Sequence, residues 1–292
     1  MSFTIITDTS ANLPTSTAKQ ENITVIPLSY YINEKECTCA DTEAFNASEY
    51  YDILKSGEKI TTSQINPQKY MDYFEPFLKN GEDILFIGMS SGISGSFTSS
   101  IIAKEQLSEI YPERNIRLVD SLSASMGEGL LVLKAVQCKK DGMSLDDTAD
   151  LILSEREKMY QLFTVDDLMY LRRGGRLSNA VALVGTLLHI KPLLEGDENG
   201  KIVTIGKVRG RKAVINHIAE KFVDLAADVK SAVAAISHAN CIEEANMLAD
   251  LIKDKSGIKD IIIVDHEPVT GSYLGPGALA LYFFGDKNVR LA

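Results

Sequence analysis

The chain is expected to be an α/β protein of two domains. Three observations predict this: 292 residues with 45% hydrophobic and 24% charged residues, strand-like runs alternating with helix-like ones from the first residues onward, and a change of pattern near Met159. The alternation favours a largely parallel sheet in residues 1–158, with a second α/β unit in 159–292. No Pro-rich or Gly/Ser-rich linker marks the join, so the pattern change alone places it.

Phe3 to Asp8 reads as the opening strand and Ile23 to Leu28 as the next. A polar, cysteine-bearing stretch leads to two amphipathic helices, Asn46 to Lys55 and Pro67 to Leu78, the second stopped by Asn80-Gly81. A buried strand, Ile84 to Ile87, then runs into a serine-glycine loop, and Phe97 to Leu107 reads as the helix behind it. Asn115 to Asp120 is expected to be a strand, followed by helices from Ala124 to Lys139 and from Leu145 to about Tyr160.

The second unit opens with a strand from Gln161 to Val165. Pro192 to Glu195 and Ile202 to Ile205 flank Gly196-Asp-Glu-Asn-Gly200 as a hairpin would. Helix Lys212 to Ala227, strand Val233 to Ile236, helix Glu243 to Lys253 and strand Ile261 to Val264 restore the alternation. Ala180 to Ile190 is apolar nearly all round, as a buried helix or a cavity wall would be. Gly275 to Phe284 reads as a glycine turn entering a second strongly apolar helix.

Composition narrows the function. A net charge of -10 and a pI near 5.0 argue against a general nucleic-acid surface, which needs clustered Lys and Arg. No apolar run reaches the roughly 18 to 20 residues that span a bilayer, and the N-terminus lacks a basic segment before an apolar one, so a cytoplasmic location is expected. Cys37, Cys39, Cys138 and Cys241 are scattered, and the only close pair, Cys-x-Cys, has no His nearby. Free thiols are expected, with neither zinc nor any other cofactor.

The stretch Asp83-Ile-Leu-Phe-Ile-Gly-Met-Ser-Ser-Gly-Ile-Ser-Gly-Ser96 is the strongest candidate for a site. A strand, a glycine-bearing turn and a helix N-terminus present free N–H groups and the positive end of a helix dipole to an anion. Three chemistries fit. Gly88-Met-Ser-Ser-Gly92 matches G-x-S-x-G, so a serine hydrolase acting on acyl substrates through Ser90 or Ser94 is one reading, with His238 or His266 as the base. Against it, Gly92-Ile-Ser-Gly95 prolongs the loop where the helix should start. A phosphate loop is the second, but G-x-x-x-x-G-K-[ST] is absent and the loop holds no Lys. Hydroxyls without a local cation suit the third, a single carboxylate. Thr61-Thr-Ser-Gln64 supplies a further hydroxyl cluster, which a helix start would equally explain. Arginines concentrate in Leu171-Arg-Arg-Gly-Gly-Arg-Leu-Ser178 and Lys207-Val-Arg-Gly-Arg-Lys212, as salt-bridging turns or as a surface for an anionic group.

Several segments, in their order along the chain, resemble signatures of the DegV family, which includes the fatty-acid-binding subunits of a bacterial fatty acid kinase. They are Ile-Thr-Asp-Thr-Ser-Ala-Asn-Leu-Pro14, Thr62-Ser-Gln, Ser91-Gly-Ile-Ser-Gly-Ser96, Arg173-Gly-Gly-Arg-Leu-Ser178, Lys207-Val-Arg209 and Gly275-Pro-Gly-Ala278. The resemblance implies one long-chain fatty acid, such as palmitate, buried between two α/β domains. Its carboxylate would lie on Thr62 and Ser94, beside Gly95 and Tyr273. Burying about fifteen methylenes at ~0.8 kcal/mol each gives on the order of 12 kcal/mol before ordering costs, so the tail would dominate affinity. Tyr273 stands where the family commonly has His, and it carries no positive charge near neutral pH; His266 is the alternative there.

On the same resemblance the protein does no chemistry itself. It presents the carboxylate to a kinase, with Arg173, Arg209 and His266 meeting phosphate or kinase, and exchanges lipid through transient membrane contact. Val184, Leu187, Leu188, Leu279 and Phe283, from the segments 180–190 and 277–284, are placed along the acyl tail.

Overall fold

The computed structural model describes residues 2–177, 189–227 and 233–289. Its elements follow the chain as β1 (Phe3–Asp8), α1 (Thr15–Gln20), β2 (Thr24–Ile26), β3 (Ser29–Ile32), β4 (Lys35–Thr38), α2 (Ala47–Lys55), β5 (Ile60–Ser63), α3 (Pro67–Lys79), β6 (Asp83–Gly88), α4 (Ser96–Ile110), β7 (Ile116–Asp120), α5 (Met126–Lys140) and α6 (Leu145–Glu155). Then come β8 (Met159–Thr164), α7 (Met169–Arg173), β9 (Ile190–Gly196), β10 (Ile202–Arg209), α8 (Arg211–Leu225), β11 (Ala234–His238), α9 (Ile242–Ser256), β12 (Ile261–Asp265), α10 (Pro268–Leu274) and β13 (Leu279–Phe284).

The helix starts follow the expected capping chemistry. Asn46, Asn66 and Ser144 each accept a backbone N–H of the first turn of α2, α3 and α6, and Pro67 occupies the first turn of α3, where its missing N–H costs nothing. β1 and β6 are buried on every residue, as strands covered on both faces must be.

β2, β1, β6 and β7 form a parallel sheet in that order. The chain leaves β1 toward β2 on one side and returns on the other as β6. The carboxyl ends of β1 and β6 therefore flank a switch point, where α/β folds open a crevice. A small antiparallel sheet, β4-β3-β5, comes from the stretch after Leu28 and from the Thr61-Thr-Ser-Gln64 cluster, neither of which the sequence pattern reads as strand, and β5 carries Thr62 toward the same crevice.

The second sheet has six strands in the order β10-β9-β8-β13-β11-β12. Among the described strands of this sheet, β11 and β12 run parallel and the other neighbours are antiparallel, so the expected parallel character belongs to the first sheet. β8 starts at Met159, two residues before the expected strand and inside the expected helix. The helical periodicity of α6 ends at Glu155.

Residues 279–284 correct a second expectation: they form a central strand, not a helix. A continuous apolar run is what a strand buried on both faces also shows, and periodicity cannot tell the two apart. Of the apolar segment 180–190, residues 180–188 lie outside the described residues, and Ile190 begins β9.

Two apolar cores result. One joins the parallel sheet, α5 and the inner face of the six-stranded sheet; the other fills the space between the outer face of that sheet and α8 and α9. α5 packs against strands of both sheets, which is why it is buried almost all round from Met126 to Val132. No helix among the described residues is long and apolar enough to cross a membrane.

Candidate functional site

The crevice at the carboxyl ends of the parallel strands closes into a cavity of about 360 Å³ between the two sheets. The loops after β6 and β7, the end of β5, the inner face of β8 and β13, and α10 supply its walls. This volume lies within the ordinary range of small-molecule sites. Leu28, Met89, Ile93, Phe163, Ile202 and Leu274 give it an apolar lining.

Hydroxyls from three separate elements line this cavity, and two of them touch. Thr62 Oγ1 of β5 and Tyr273 Oη of α10 are 2.6 Å apart. Ser94, in the loop before α4, also lines the cavity, and its Oγ donates to Ser96 Oγ at 3.0 Å. Ser96 Oγ in turn accepts the Ile65 N–H at 3.2 Å, which pins the strand bearing Thr62 to the serine loop. Gly95 caps α4 without a side chain, and the Gln64 carboxamide lies over it: a Cβ there would stand 2.1 Å from Gln64 Oε1 and would displace that side chain. The N-terminus of a 15-residue helix thus faces the hydroxyl cluster.

The structure adds a residue that sequence reasoning quoted but did not assign. Arg176 lines the cavity, stacks 4.5 Å over the Tyr273 ring, and donates to Ile93 O at 3.2 Å and Gly174 O at 2.5 Å. Among the described residues it is the only Arg or Lys lining this space. Its place in the Gly-Gly turn was the available signal, but spacing could not choose between Arg173 and Arg176. Thr62, Arg176 and Tyr273 also border a wider outer cleft holding Lys55, Lys59 and Arg173, so these three form the partition between inside and outside. Arg173 is exposed, its guanidinium 5.4 Å over the Tyr170 ring. Arg209 ends β10 on the surface and lines neither space; the strand that carries it runs along the far edge of the six-stranded sheet.

His266 does reach the cavity wall, but its ring is committed. Nδ1 lies 2.8 Å from Ser237 Oγ and Nε2 2.8 Å from Thr270 Oγ1. Full burial holds its pKa down at about 3, so it is neutral near pH 7 and supplies no cation to a head group or phosphate. Thr270 also donates to Glu267, which caps α10 through Val269 N and Thr270 N and whose pKa burial raises to about 7.

Leu279 and Phe283 do not line the cavity. Alternation along β13 turns them, with Leu281, into the core against α8 and α9, where Phe283 stacks on Tyr160 and meets Phe222 edge-on. Their neighbours Ala280 and Tyr282 face inward instead. Val184, Leu187 and Leu188 lie outside the described residues.

The G-x-S-x-G pattern has a packing explanation. Ser90 is fully buried; its Oγ donates to Gly200 O at 2.9 Å and accepts from Gly92 N at 3.1 Å, with no imidazole as partner. A Cβ on Gly92 would lie 2.3 Å from Asn199 O, because the β9–β10 turn rests on this loop. His238 Nδ1 accepts the Cys241 N–H at 3.4 Å and stands 3.4 Å from Asp265 Oδ1, and neither contact involves Ser90 or Ser94. Among the described residues no group of three or more His, Cys, Asp or Glu is placed to hold a metal ion.

The early Thr7 to Asn12 signature holds the crevice together rather than lining it. Asp8 accepts the N–H groups of Ser10 and Met89, Thr9 Oγ1 accepts that of Leu28, and Thr7 and Ser10 both donate to the buried Glu128 of α5. Asn12 Nδ2 reaches Asp265 O at 3.0 Å, tying this turn to the strand before α10.

Comparison with known proteins places this architecture. The family model described as "Uncharacterised protein, DegV family" matches residues 2–286. A DegV domain-containing protein of Clostridium perfringens is 37% identical over 98% of both chains, and one of Lactococcus lactis is 33% identical over 99% of both. Among solved structures, a fatty acid binding DegV family protein of Streptococcus agalactiae is 33% identical with a TM-score of 0.85, covering 98% of this chain and 100% of its own. DegV of Bacillus subtilis, described as a fatty acid binding protein, is 31% identical with a TM-score of 0.84 at the same coverage. With its two sheets, the cavity between them and matches that run nearly end to end, this chain belongs to the DegV family.

Proposed function

We propose that the protein binds one long-chain fatty acid in the cavity between its sheets, with the carboxylate on Thr62 and Ser94 beside Gly95 and Tyr273. The observation that carries this reading is the contact of the Thr62 and Tyr273 hydroxyls in a largely apolar cavity that Ser94 and the N-terminus of α4 also line. Taking a carboxylate out of water is costly unless it is hydrogen-bonded. Two hydroxyls and the N-terminus of α4 offset that cost, and the Arg176 guanidinium adds a positive charge close by. The solved relatives described as fatty acid binding support the same ligand class.

The protein acts as a carrier with no catalysis of its own, presenting the carboxylate to a kinase that forms the acyl phosphate. The partition of Thr62, Arg176 and Tyr273 supports this, because it puts the head group one side chain away from an outer cleft with Lys55, Lys59 and Arg173. That cleft is where a partner would reach the carboxylate, and where lipid would be taken up at a membrane surface.

Native mass spectrometry of the purified protein, followed by lipid extraction, tests the ligand class. A mass increment matching one saturated or monounsaturated long-chain acid is expected. Protein that carries no lipid and takes up none from a palmitate solution refutes the reading.

A further inference from the structure

The sheet side of the cavity is chemically unlike its apolar walls. Gln161 of β8 and Tyr282 of β13 are directly paired across the sheet, so both side chains stand on the cavity face. Gln161 Oε1 accepts from Ser123 Oγ at 2.9 Å, and Nε2 donates to Leu122 O at 3.1 Å. Next to them Tyr282 Oη lies 3.2 Å from Ser237 Oγ, the hydroxyl that holds His266. Ser123, Gln161, His266 and Tyr282 all line the cavity.

These groups differ in what they have left to offer. Both ring nitrogens of His266 are occupied. A carboxamide has two N–H donors and an oxygen with two lone pairs, and Gln161 uses one of each among the described residues. Ser123 Oγ donates its proton and keeps an acceptor lone pair. A methylene chain laid on this wall would dry a donor and acceptors without answering them, which costs free energy. A ligand with an oxygen atom at that level would answer them.

On the reading that the cavity holds a fatty acid, we propose that Gln161 and Ser123 form a second polar subsite, which takes a neutral oxygen function, a hydroxyl or keto group, carried on the acyl chain. The neutrality follows from the surroundings. His266 is held uncharged by burial, and Arg176, the one Arg or Lys lining the cavity among the described residues, stands over Tyr273 at the end assigned to the first carboxylate. A second carboxylate would therefore be buried without a counter-ion. The preferred ligands are long-chain hydroxy or keto acids, with the oxygen at the carbon that lies against Gln161.

Isothermal titration of the delipidated full chain with octadecanoic acid and with hydroxyoctadecanoic acids bearing the hydroxyl at successive carbons tests this. One positional isomer is expected to bind about tenfold tighter than octadecanoic acid, the effect of one or two answered hydrogen bonds. Gln161→Met, close in volume, should abolish that preference, read within the variant as equal affinity for every isomer and for octadecanoic acid. Ser123→Ala should reduce it severalfold and serves as a second, milder variant. Octadecanoic acid that binds as well as every isomer, or a preference that survives both substitutions, overturns the subsite alone. Failure of every eighteen-carbon acid to bind overturns the fatty-acid reading, and the subsite with it.

Discussion

The two faces of the six-stranded sheet are built from the same strands and do opposite things. Toward α8 and α9, β8 and β13 present Tyr160, Leu162, Leu279, Leu281 and Phe283, large buried side chains that pack in one cluster with Phe222. Toward the parallel sheet the same strands present Gln161, Phe163, Ala280 and Tyr282, and β11 adds Ser237. Ala280 is small, and hydrogen bonds hold Gln161, Tyr282 and Ser237 in place, so a space stays open beside Phe163. A core fills to the density of a crystal unless the residues facing it are too small or too well hydrogen-bonded to collapse into it. Stability and binding are thereby assigned to opposite faces.

Substitutions on each face can break that assignment. Phe283→Ala on the closed face is expected to cost about 3 to 5 kcal/mol of stability, read by urea denaturation, because it deletes a fully buried ring from a tight core. Its fatty-acid affinity, measured under conditions where it remains folded, should match wild type. A large loss of affinity with little loss of stability would reverse the roles of the two faces.

On the cavity side the order of effects should invert. The Thr62→Ala, Ser94→Ala double variant is expected to lose about 2 to 4 kcal/mol of binding free energy to palmitate, since each hydroxyl gives a hydrogen bond to a charged group. Its denaturation midpoint should stay near wild type. Equal palmitate affinity in the double variant would remove the carboxylate from Thr62 and Ser94.

His266 and Glu267, neighbours at the cavity wall, answer pH in opposite senses. The His266 pKa of about 3 lies below that of an unfolded His, so as pH falls through about 6.5 the unfolded state takes up a proton that the folded state refuses, and stability is lost. The Glu267 pKa of about 7 lies above its unfolded value, so the folded state takes up a proton first and gains stability as pH falls from about 7 toward 4.5. The two oppose each other across about pH 4.5 to 6.5. In a His266→Gln variant only the second remains, so relative to wild type its stability should climb by about 1 kcal/mol for each unit of acidification in that window. Parallel pH profiles for the two proteins would show that His266 is not held neutral.

The smallest effect is expected from Tyr273→Phe, which removes one hydroxyl from the Thr62 contact but keeps the ring under Arg176. A loss of about 0.5 to 1.5 kcal/mol in palmitate binding should appear by titration, with stability unchanged. A much larger loss would mean that the phenol, and not Ser94, is the main donor to the head group.

Much of this architecture was legible in the residues. β1, β6 and the helices α2, α3 and α4 announce themselves by apolar periodicity and by Asn and Pro at helix starts, all local signals. The strand β13 did not, because a run buried on both faces looks the same as a buried helix. The hairpin β3-β4 turns on Asn33-Glu34 but was hidden because its strands are four residues long and β4 is mostly exposed, and its pairing with β5 spans about thirty residues of chain.

For the site, the serine loop stood out, and the family signatures drew attention from Ser90 to Ser94. What they could not convey was that Ser90 is spent on the Gly200 carbonyl, that Arg176 turns inward while Arg173 stays outside, or that Leu279 and Phe283 point away from the cavity.

The sequence by itself determined the α/β class, the order of most elements and the hydroxyl-rich character of the loop behind β6. Each depends on residues within one or two turns of one another, where propensity, periodicity and capping act. Only the tertiary structure decided which hydroxyls meet, which arginine faces the cavity and which face of β13 is closed. Thr62 and Tyr273 are 211 positions apart and touch because two sheets pack across a crevice. No local rule fixes a contact of that range, since it depends on how whole faces of the molecule are covered.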